Sequence, residues 1–517
     1  MFRSMFTVGS LTLVSRIAGF VRDKLIAYHL GSGAMADVWV AAFQFPNLFR
    51  RVFGEGAFNA AFVPMYSRRL EEKGSQGADR FARRTLSTMF VILMSCFVLS
   101  FIFMEPIVRV TNVGFASDGR LETAVSASRI TVVYLVFICL VAGLSGILNS
   151  RKIFGTPAIS YVALNLVFLV GLFFIVPRTG EPLTVLCWSV VAAGVIQLAI
   201  VAISCLRHGV DLRPVLPRFD SDMKQLSLLM TPGLISAGVQ QLNLIVGGTV
   251  ASLQLGGKTG INLADRINQL PLGLIGMAAG VVLLPEITRN LRGGDEDAAR
   301  RSLNQGIELS LFLCLPATIA MLVIPREIMF TIFEGGKFGG EAAAQMGWIL
   351  AAFATGTPAY ILIKVLQPGY FAREDTKTPM RFTIVSAVVN MLLVYPMFLW
   401  LGPIGCAAAT SVAGWLNVVL LWLGLRRSGF MKLSSGFTGR VVRLLLAAAA
   451  MGVIVWLLAH FGKGILMTEG RFFRRLGSMG VLVSVGLAAY LIAVVGLRVY
   501  SLEELKKRFR RGKRNPA

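Results

Sequence analysis

SRIAGFVRDK, residues 15–24, sits inside the first long apolar run of the chain and carries Arg16, Arg22, Asp23 and Lys24. Whether this segment is a surface helix or a membrane-crossing one decides the fold. The surrounding run, residues 6–30, is long enough to cross about 30 Å of hydrocarbon as a helix, which needs roughly 20 residues. Runs of that kind recur to the end of the chain, at 34–53, 85–108, 123–149, 157–177, 183–206, 226–254, 261–284, 303–324, 343–368, 380–401, 403–425, 441–461 and 476–497. The expected fold class is therefore an all-α polytopic membrane protein with fourteen transmembrane helices. A β-barrel would alternate apolar and polar residues in short segments, and these runs are continuous.

Composition agrees. Hydrophobic residues make up 55% of 517 and charged residues 15%, with a mean hydropathy of +0.70, too apolar for a water-exposed surface. Arg16 interrupts the first run and no small-residue cleavage motif follows, so the run is read as helix one and not as a signal peptide. The six cysteines are scattered singly and match no metal or redox spacing. The net charge of +24 does not point to nucleic acid, because its distribution follows the spans. Basic clusters at 68–84, 151–152, 207–213, 289–301, 373–377, 426–432 and 506–514 follow even-numbered spans, which places those loops and both termini in the cytoplasm by the positive-inside rule. The loop between spans 13 and 14, with Lys463, Arg471, Arg474 and Arg475, is the exception.

The first 425 residues repeat at a spacing of about 220. FVPMYSRRL (62–70) echoes LLPEITRNL (283–291), RFARRTLS (80–87) echoes DAARRSLN (297–304), and SRKIFGTP (150–157) echoes AREDTKTP (372–379), setting Arg151 over Arg373. Six spans per half give a parallel repeat about an axis along the membrane normal. The expected organisation is an N-lobe at 1–215, a C-lobe at 216–428 around a central cavity, and two extra helices with a basic tail at 429–517. Rocking of two such lobes is the usual basis of alternating access.

Motifs for covalent chemistry are missing. LGGKTG (255–260) lacks the glycine that a phosphate-binding loop places five residues before its GK pair, Ser252 standing there, and is read as a flexible turn. His29, His208 and His460 match no metal-ligand spacing. No enzyme activity, cofactor or metal is expected. Energy for transport would come from an ion gradient, the membrane potential, the substrate's own gradient or a partner ATPase.

What stands out instead is a set of ionisable residues inside apolar runs: Arg16, Arg22, Asp23, Asp37, Arg50, Arg51, Glu55, Asp265 and Arg266. Each costs about 2.5–3.5 kcal/mol at a bilayer centre on insertion scales, so such residues face a cavity or a partner. Arg22, Lys24, Arg50 and Arg51 lie near enough to run ends to snorkel, and an internal pair with Asp37 or Asp265 would satisfy Arg16 or Arg266 without any ligand. Against those readings stands the arginine fork, which stays charged and makes bidentate hydrogen bonds with phosphate. Gly19 and Pro46 interrupt the helices beside these charges.

At these residues the chain resembles a known family. SRIAGFVRD, ADVWVAAFQFPNLFRRVFGEGAFNAAFVP (36–64), ADRINQLPLGLIG (264–276) and GYFAREDTKTP (369–379) resemble the MurJ family, also called MviN, the bacterial lipid II flippases of the multidrug/oligosaccharidyl-lipid/polysaccharide exporter superfamily. The resemblance implies translocation of undecaprenyl-diphosphate-linked disaccharide pentapeptide across the bacterial inner membrane for peptidoglycan synthesis. It implies substrate-binding roles for Arg16, Arg22, Asp37, Asn47, Arg50, Glu55, Asp265 and Arg266. Lipid II, membrane lipids and cell-wall synthesis proteins are the implied partners, and nucleic acid is not. Gln269 departs from members that have Glu after the ADR motif, and helix seven lacks the carboxylate of those with a sodium site. The alternatives are an exporter of another polyprenyl-diphosphate-linked saccharide, a drug exporter, disfavoured by a cationic lining, and a non-transporting scaffold for cell-wall enzymes.

Overall fold

The structure, a computed structural model, describes residues 2–51, 57–217, 220–431, 436–468 and 471–499. It is all-helical in architecture, as a chain of long apolar runs must be where no water satisfies the backbone. The chain divides into two compact units, one of residues 1–259 with 336–338, the other of residues 260–335 with 339–517.

The first unit holds α1 (Phe2–Leu30), α2 (Ala34–Phe49), α3 (Ala57–Ile102), α4 (Met104–Thr111), α5 (Arg120–Thr131), α6 (Tyr134–Ser150), α7 (Gly155–Val170), the short α8 (Val176–Thr179), α9 (Pro182–Arg207) and α10 (Ser221–Ala251). Helix α3 is two helices joined at Gly74, whose φ of 64° lies in the left-handed region that favours glycine. Its first half stacks Phe58 on Phe62 at 5.0 Å, and Phe62 on Tyr66 and Phe81 at 5.8 and 5.5 Å. Gly146 of α6 passes so close to this row that a Cβ there would meet Asn59 Oδ1 at 2.8 Å. Small residues of this kind let helix backbones approach where lipid provides no hydrophobic drive.

The compact boundary falls at 259/260, whereas the repeat placed it at 215/216. Helix α10 packs against α3 and α4, with Met223 and Leu226 in the core of the first unit. The basic residues on either side of the Gly74 joint in α3 fasten it. Arg84 pairs with Asp220 at 2.7 Å, Arg69 with Asp222 at 2.6 Å, and Arg83 with Asp211 at 2.6 Å. Beside them Arg151 binds Asp79 at 2.7 Å and Tyr66 Oη at 3.0 Å. A sequence repeat records ancestry of pairs of helices, while compactness follows the contacts they make.

The second unit holds α11 (Gly257–Arg292, from residue 260 onward), α12 (Glu296–Val323), α13 (Pro325–Phe333), α14 (Gly340–Phe371), α15 (Lys377–Leu401), α16 (Pro403–Arg427), α17 (Phe437–Phe461), the short α18 (Lys463–Leu466) and α19 (Phe472–Gly496). Helix α14 is its most enclosed member, packing on α12, α13 and α16. The two helices outside the repeat, α17 and α19, dock on α12 through Met451, Val455 and Tyr490 against Phe312 and Leu315. Tyr490 Oη donates to the Phe312 carbonyl at 2.9 Å. Two ion pairs hold them, Arg440 to Glu308 at 2.7 Å and the buried pair of Arg475 with Glu334. Arg475, the deepest of the basic residues that broke the charge rule between spans 13 and 14, is thus a packing residue and not a surface charge.

Two positions related by the repeat keep the same backbone. Lys152 after α6 and Glu374 after α14 have φ of 63° and 60°, in the left-handed conformation that closes helix ends.

Ten helical segments among the described residues are long and apolar enough to cross a membrane. The runs expected at 6–30, 34–53, 226–254 and 261–284 are also helical, as α1, α2, α10 and α11. Of these, α2 is 16 residues long. The chain is a multi-pass all-α membrane protein.

Candidate functional site

The charged residues of α1 divide by helix face. Arg22 is 9% exposed. Its Nε and Nη2 donate to Asp23 Oδ1 at 3.0 and 2.7 Å, and its Nη1 to Asn165 Oδ1 of α7 at 3.0 Å. The guanidinium lies 5.3 Å from the centre of the Phe168 ring. Asn165 Nδ2 in turn donates to the Ser15 carbonyl at 3.1 Å, and the amide lies over Gly19, where a Cβ would stand in ordinary contact at 3.6 Å. In this conformation Arg22 ties α1 to α7. Arg16, a third of a turn away around the helix axis, is exposed. The residue that lies deepest in the sequence run is thus the open one, and the next arginine along is the buried one.

In α2, Arg50 Nε donates to Asn47 Oδ1 at 2.9 Å, one helical turn back and beside Pro46, so Asn47 aims the Arg50 fork. Both are half-buried. Glu55 lies outside the described residues.

Asp37, expected in the substrate set, is fully buried and occupied by the protein. Its Oδ2 takes Arg120 Nη1 at 2.6 Å and the Gly256 amide at 2.8 Å. Its Oδ1 takes the Thr259 amide at 2.8 Å and the Thr259 hydroxyl at 2.7 Å. Arg120 also binds Asp118, donates to the Ser252 carbonyl at 2.9 Å and lies 4.2 Å from the Phe115 ring centre. Asp118 sits in the loop before α5, and the guanidinium of Arg120 holds its carboxyl below the usual range. Lys258, 3% exposed, bonds to Asn112 Oδ1.

The LGGKTG segment is accordingly no flexible turn. Its amides are pinned by Asp37, and its lysine is buried. Sequence reasoning missed Arg120 and Lys258 because both lie in connections between apolar runs. The signal was there in part: Arg120 follows the turn residues Asp118 and Gly119 at the start of a helix.

In the second unit, Asp265 is half-buried and Arg266 exposed, on α11. Gln269 Nε2 donates to Asp265 Oδ2 one turn back on the same helix, so this amide is a hydrogen-bond donor to the neighbouring carboxylate. The first unit therefore joins Asn47 with Arg50, keeps Arg22 with Asp23 and Asn165, and sets Asp37 apart in its own network. The second unit joins Asp265 with Gln269 and leaves Arg266 exposed. Lys364 of α14, absent from the expected set, is a further exposed cation within an apolar helix.

Comparison with known proteins gives these positions a context. The family model described as lipid II flippase MurJ matches residues 26–474. A probable lipid II flippase MurJ of Rhizobium tropici is 40% identical over 520 aligned residues, covering 100% of this chain and 98% of that protein. Its counterpart in Rhizobium meliloti (strain 1021) is 37% identical over 98% of this chain and 96% of its own. Among solved structures, a lipid II flippase MurJ in an inward closed conformation superposes with a TM-score of 0.78 at 24% identity, covering 94% of this chain and 98% of that one. An inward-facing multidrug resistance MATE family transporter of the MOP superfamily gives 0.68 at 15% identity, over 80% and 94%. The structural likenesses establish the fold. The family model and full-length relatives establish the lineage: this chain belongs to the MurJ family.

Proposed function

We propose that this chain is a lipid II flippase. It moves the undecaprenyl-diphosphate-linked disaccharide pentapeptide from the inner to the outer leaflet of the bacterial cytoplasmic membrane, by alternating access and without changing a covalent bond. The observation that carries the reading is the 40% identity over the whole chain to a probable lipid II flippase.

The chemistry supports it. A diphosphate brings two phosphoryl groups into an apolar setting and needs fixed cations that cannot deprotonate, which is what arginine supplies. Arg16 and Arg266 are exposed within long apolar runs, and Asn47 orients the Arg50 fork. These three are assigned to the diphosphate. Arg22 and Asp37 are assigned to holding the helices that carry it, through Asn165 and Arg120. The basic clusters after even-numbered spans support cytoplasmic termini. Membrane lipids and cell-wall synthesis proteins are the further partners of this reading.

Reconstitution into vesicles that contain lipid II tests it. A membrane-impermeant enzyme that cleaves the headgroup reports how fast lipid II reaches the far leaflet, with and without a membrane potential. The full chain should speed this several-fold over empty vesicles, and Arg16→Ala and Arg266→Ala should each lose most of the gain. Equal rates with and without the protein would defeat the reading. Full activity in both variants would remove the site assignment.

A further inference from the structure

Lys364 lies on α14, four residues before the end of the expected span 343–368, and is exposed although most of this helix is enclosed. Its direction follows from the helix period. Trp348 and Thr355 are exposed and, seven residues apart, share one face. Thr357 and Lys364, again seven apart, share the nearly opposite one. That second face meets α11. Thr357 Oγ1 donates to Asn268 Oδ1, and further along a Cβ at Gly276 would stand 3.5 Å from Lys364 Cγ. Gly276 is buried under the lysine stem.

On α11 the positions 265, 269, 272 and 276 follow i, i+4, i+7, i+11 and form one stripe. Lys364 thus emerges at the lower end of the stripe whose upper end carries Asp265 and Gln269, about 16 Å away along the axis at 1.5 Å per residue. Among the described residues, no carboxylate pairs with the ammonium. Helical side chains lean toward the helix N-terminus, so the stem leads away from the nearer end of α14 and does not reach back to the interface there. A lysine so placed is costly unless it meets water or an anion.

We propose that Lys364 is a binding residue for the diphosphate of the lipid-linked substrate, met on this face of α11 from the cytoplasmic side before Arg266. The inference rests on the flippase reading above. An ammonium on a flexible stem is a mobile point charge, whereas arginine is a fixed fork. Lys364 suits a first contact and Arg266 a held pose.

The test uses the full-length protein in lipid II vesicles, with translocation measured against lipid II density for wild type, Lys364→Met and Lys364→Arg. Methionine keeps the stem over Gly276 and removes the charge. Lys364→Met should raise the density for half-maximal rate about tenfold, the loss of one charge-assisted contact, with the maximal rate within about twofold of wild type. Lys364→Arg should restore most of the affinity. The proposal is overturned if Lys364→Met follows the wild-type curve, or if both variants lose maximal rate alone, which would mark a packing role. Should Lys364→Met fail to fold, Lys364→Gln takes its place under the same criteria. A wild type that does not translocate would instead strike the flippase reading. Partition of labelled lipid II onto purified wild type and Lys364→Met would then still decide whether this cation binds the headgroup.

Discussion

Replacing Asp37 with alanine should unfasten the network around Arg120, and the structure sets the size of the effect. Asp37 is fully buried and accepts four hydrogen bonds, from Arg120, Gly256 and twice from Thr259. Removing one partner of a buried ion pair costs about 3–5 kcal/mol, because the other charge is left without compensation. Arg120 keeps Asp118 and the Ser252 carbonyl, which lowers that figure. The amides of Gly256 and Thr259 raise it again, since a buried donor without an acceptor costs about 1–3 kcal/mol. A net loss of about 3–5 kcal/mol follows. Asp37→Asn, which keeps an acceptor but turns an amide toward Arg120, should lose roughly half as much by the same accounting. Unfolding by a denaturing detergent in mixed micelles, with Arg120→Met alone and combined with Asp37→Ala, gives the coupling energy as a double-mutant cycle. If Asp37→Ala stayed within about 1 kcal/mol of wild type, below the range for a broken buried pair, the carboxylate would not hold this fold together. If Asp37→Asn kept full stability yet raised the lipid II density for half-maximal translocation, the group would belong to the substrate, and the assignment would fail.

Other perturbations follow from the same geometry. Asn165→Ala should loosen α1 from α7 by about 1–3 kcal/mol, as it strips the buried Arg22 of one charged hydrogen bond, and protection of the α1 amides in hydrogen exchange reads the change. Glu334→Gln should destabilise the docking of α19 on α13, whereas Glu334→Gln combined with Arg475→Met should recover part of the loss, since replacing both members of a buried pair costs less than orphaning one; thermal unfolding of the purified variants separates the cases. Asp118 has its carboxyl lowered by Arg120, so its contribution is present above the unfolded value of about 4 and is lost as pH falls through the lower folded value; melting across acid pH should show that loss in wild type and a smaller one in Asp118→Asn. Gly405→Ala should destabilise the turn into α16, because a Cβ there would sit 1.9 Å from the Met397 carbonyl oxygen, and a variant with wild-type melting would contradict that packing.

The legible part of this protein is whatever depends on a local pattern. Apolar runs long enough to cross a bilayer mark helices wherever they occur, and the described residues of those runs are helical apart from short breaks. Charges inside such runs were recognisable as anomalies because lipid makes them expensive. What those charges do was not recognisable, and the reason is distance along the chain. Arg22 is settled by Asn165, 143 residues on. Asp37 is settled by Arg120 at a separation of 83 and by Thr259 at 222. The same limit made LGGKTG look like a loose turn, since nothing within it hints that a carboxylate from α2 would take its amides.

The sequence by itself determined the all-helical membrane class, the repeat and, through PNLFRRVFGEGAF and its neighbours, the family. These rest on composition, on spacing and on residue order, which survive without coordinates. Only the tertiary structure decided which ionisable groups are spent on the protein and which stand exposed. A guanidinium has the same charge wherever it lies, and its role is fixed by whether folding brings a carboxylate or an amide within about 3 Å of it. Arg22 and Arg16 lie six residues apart on one helix, and that difference in company makes one a tie between helices and leaves the other open to a ligand.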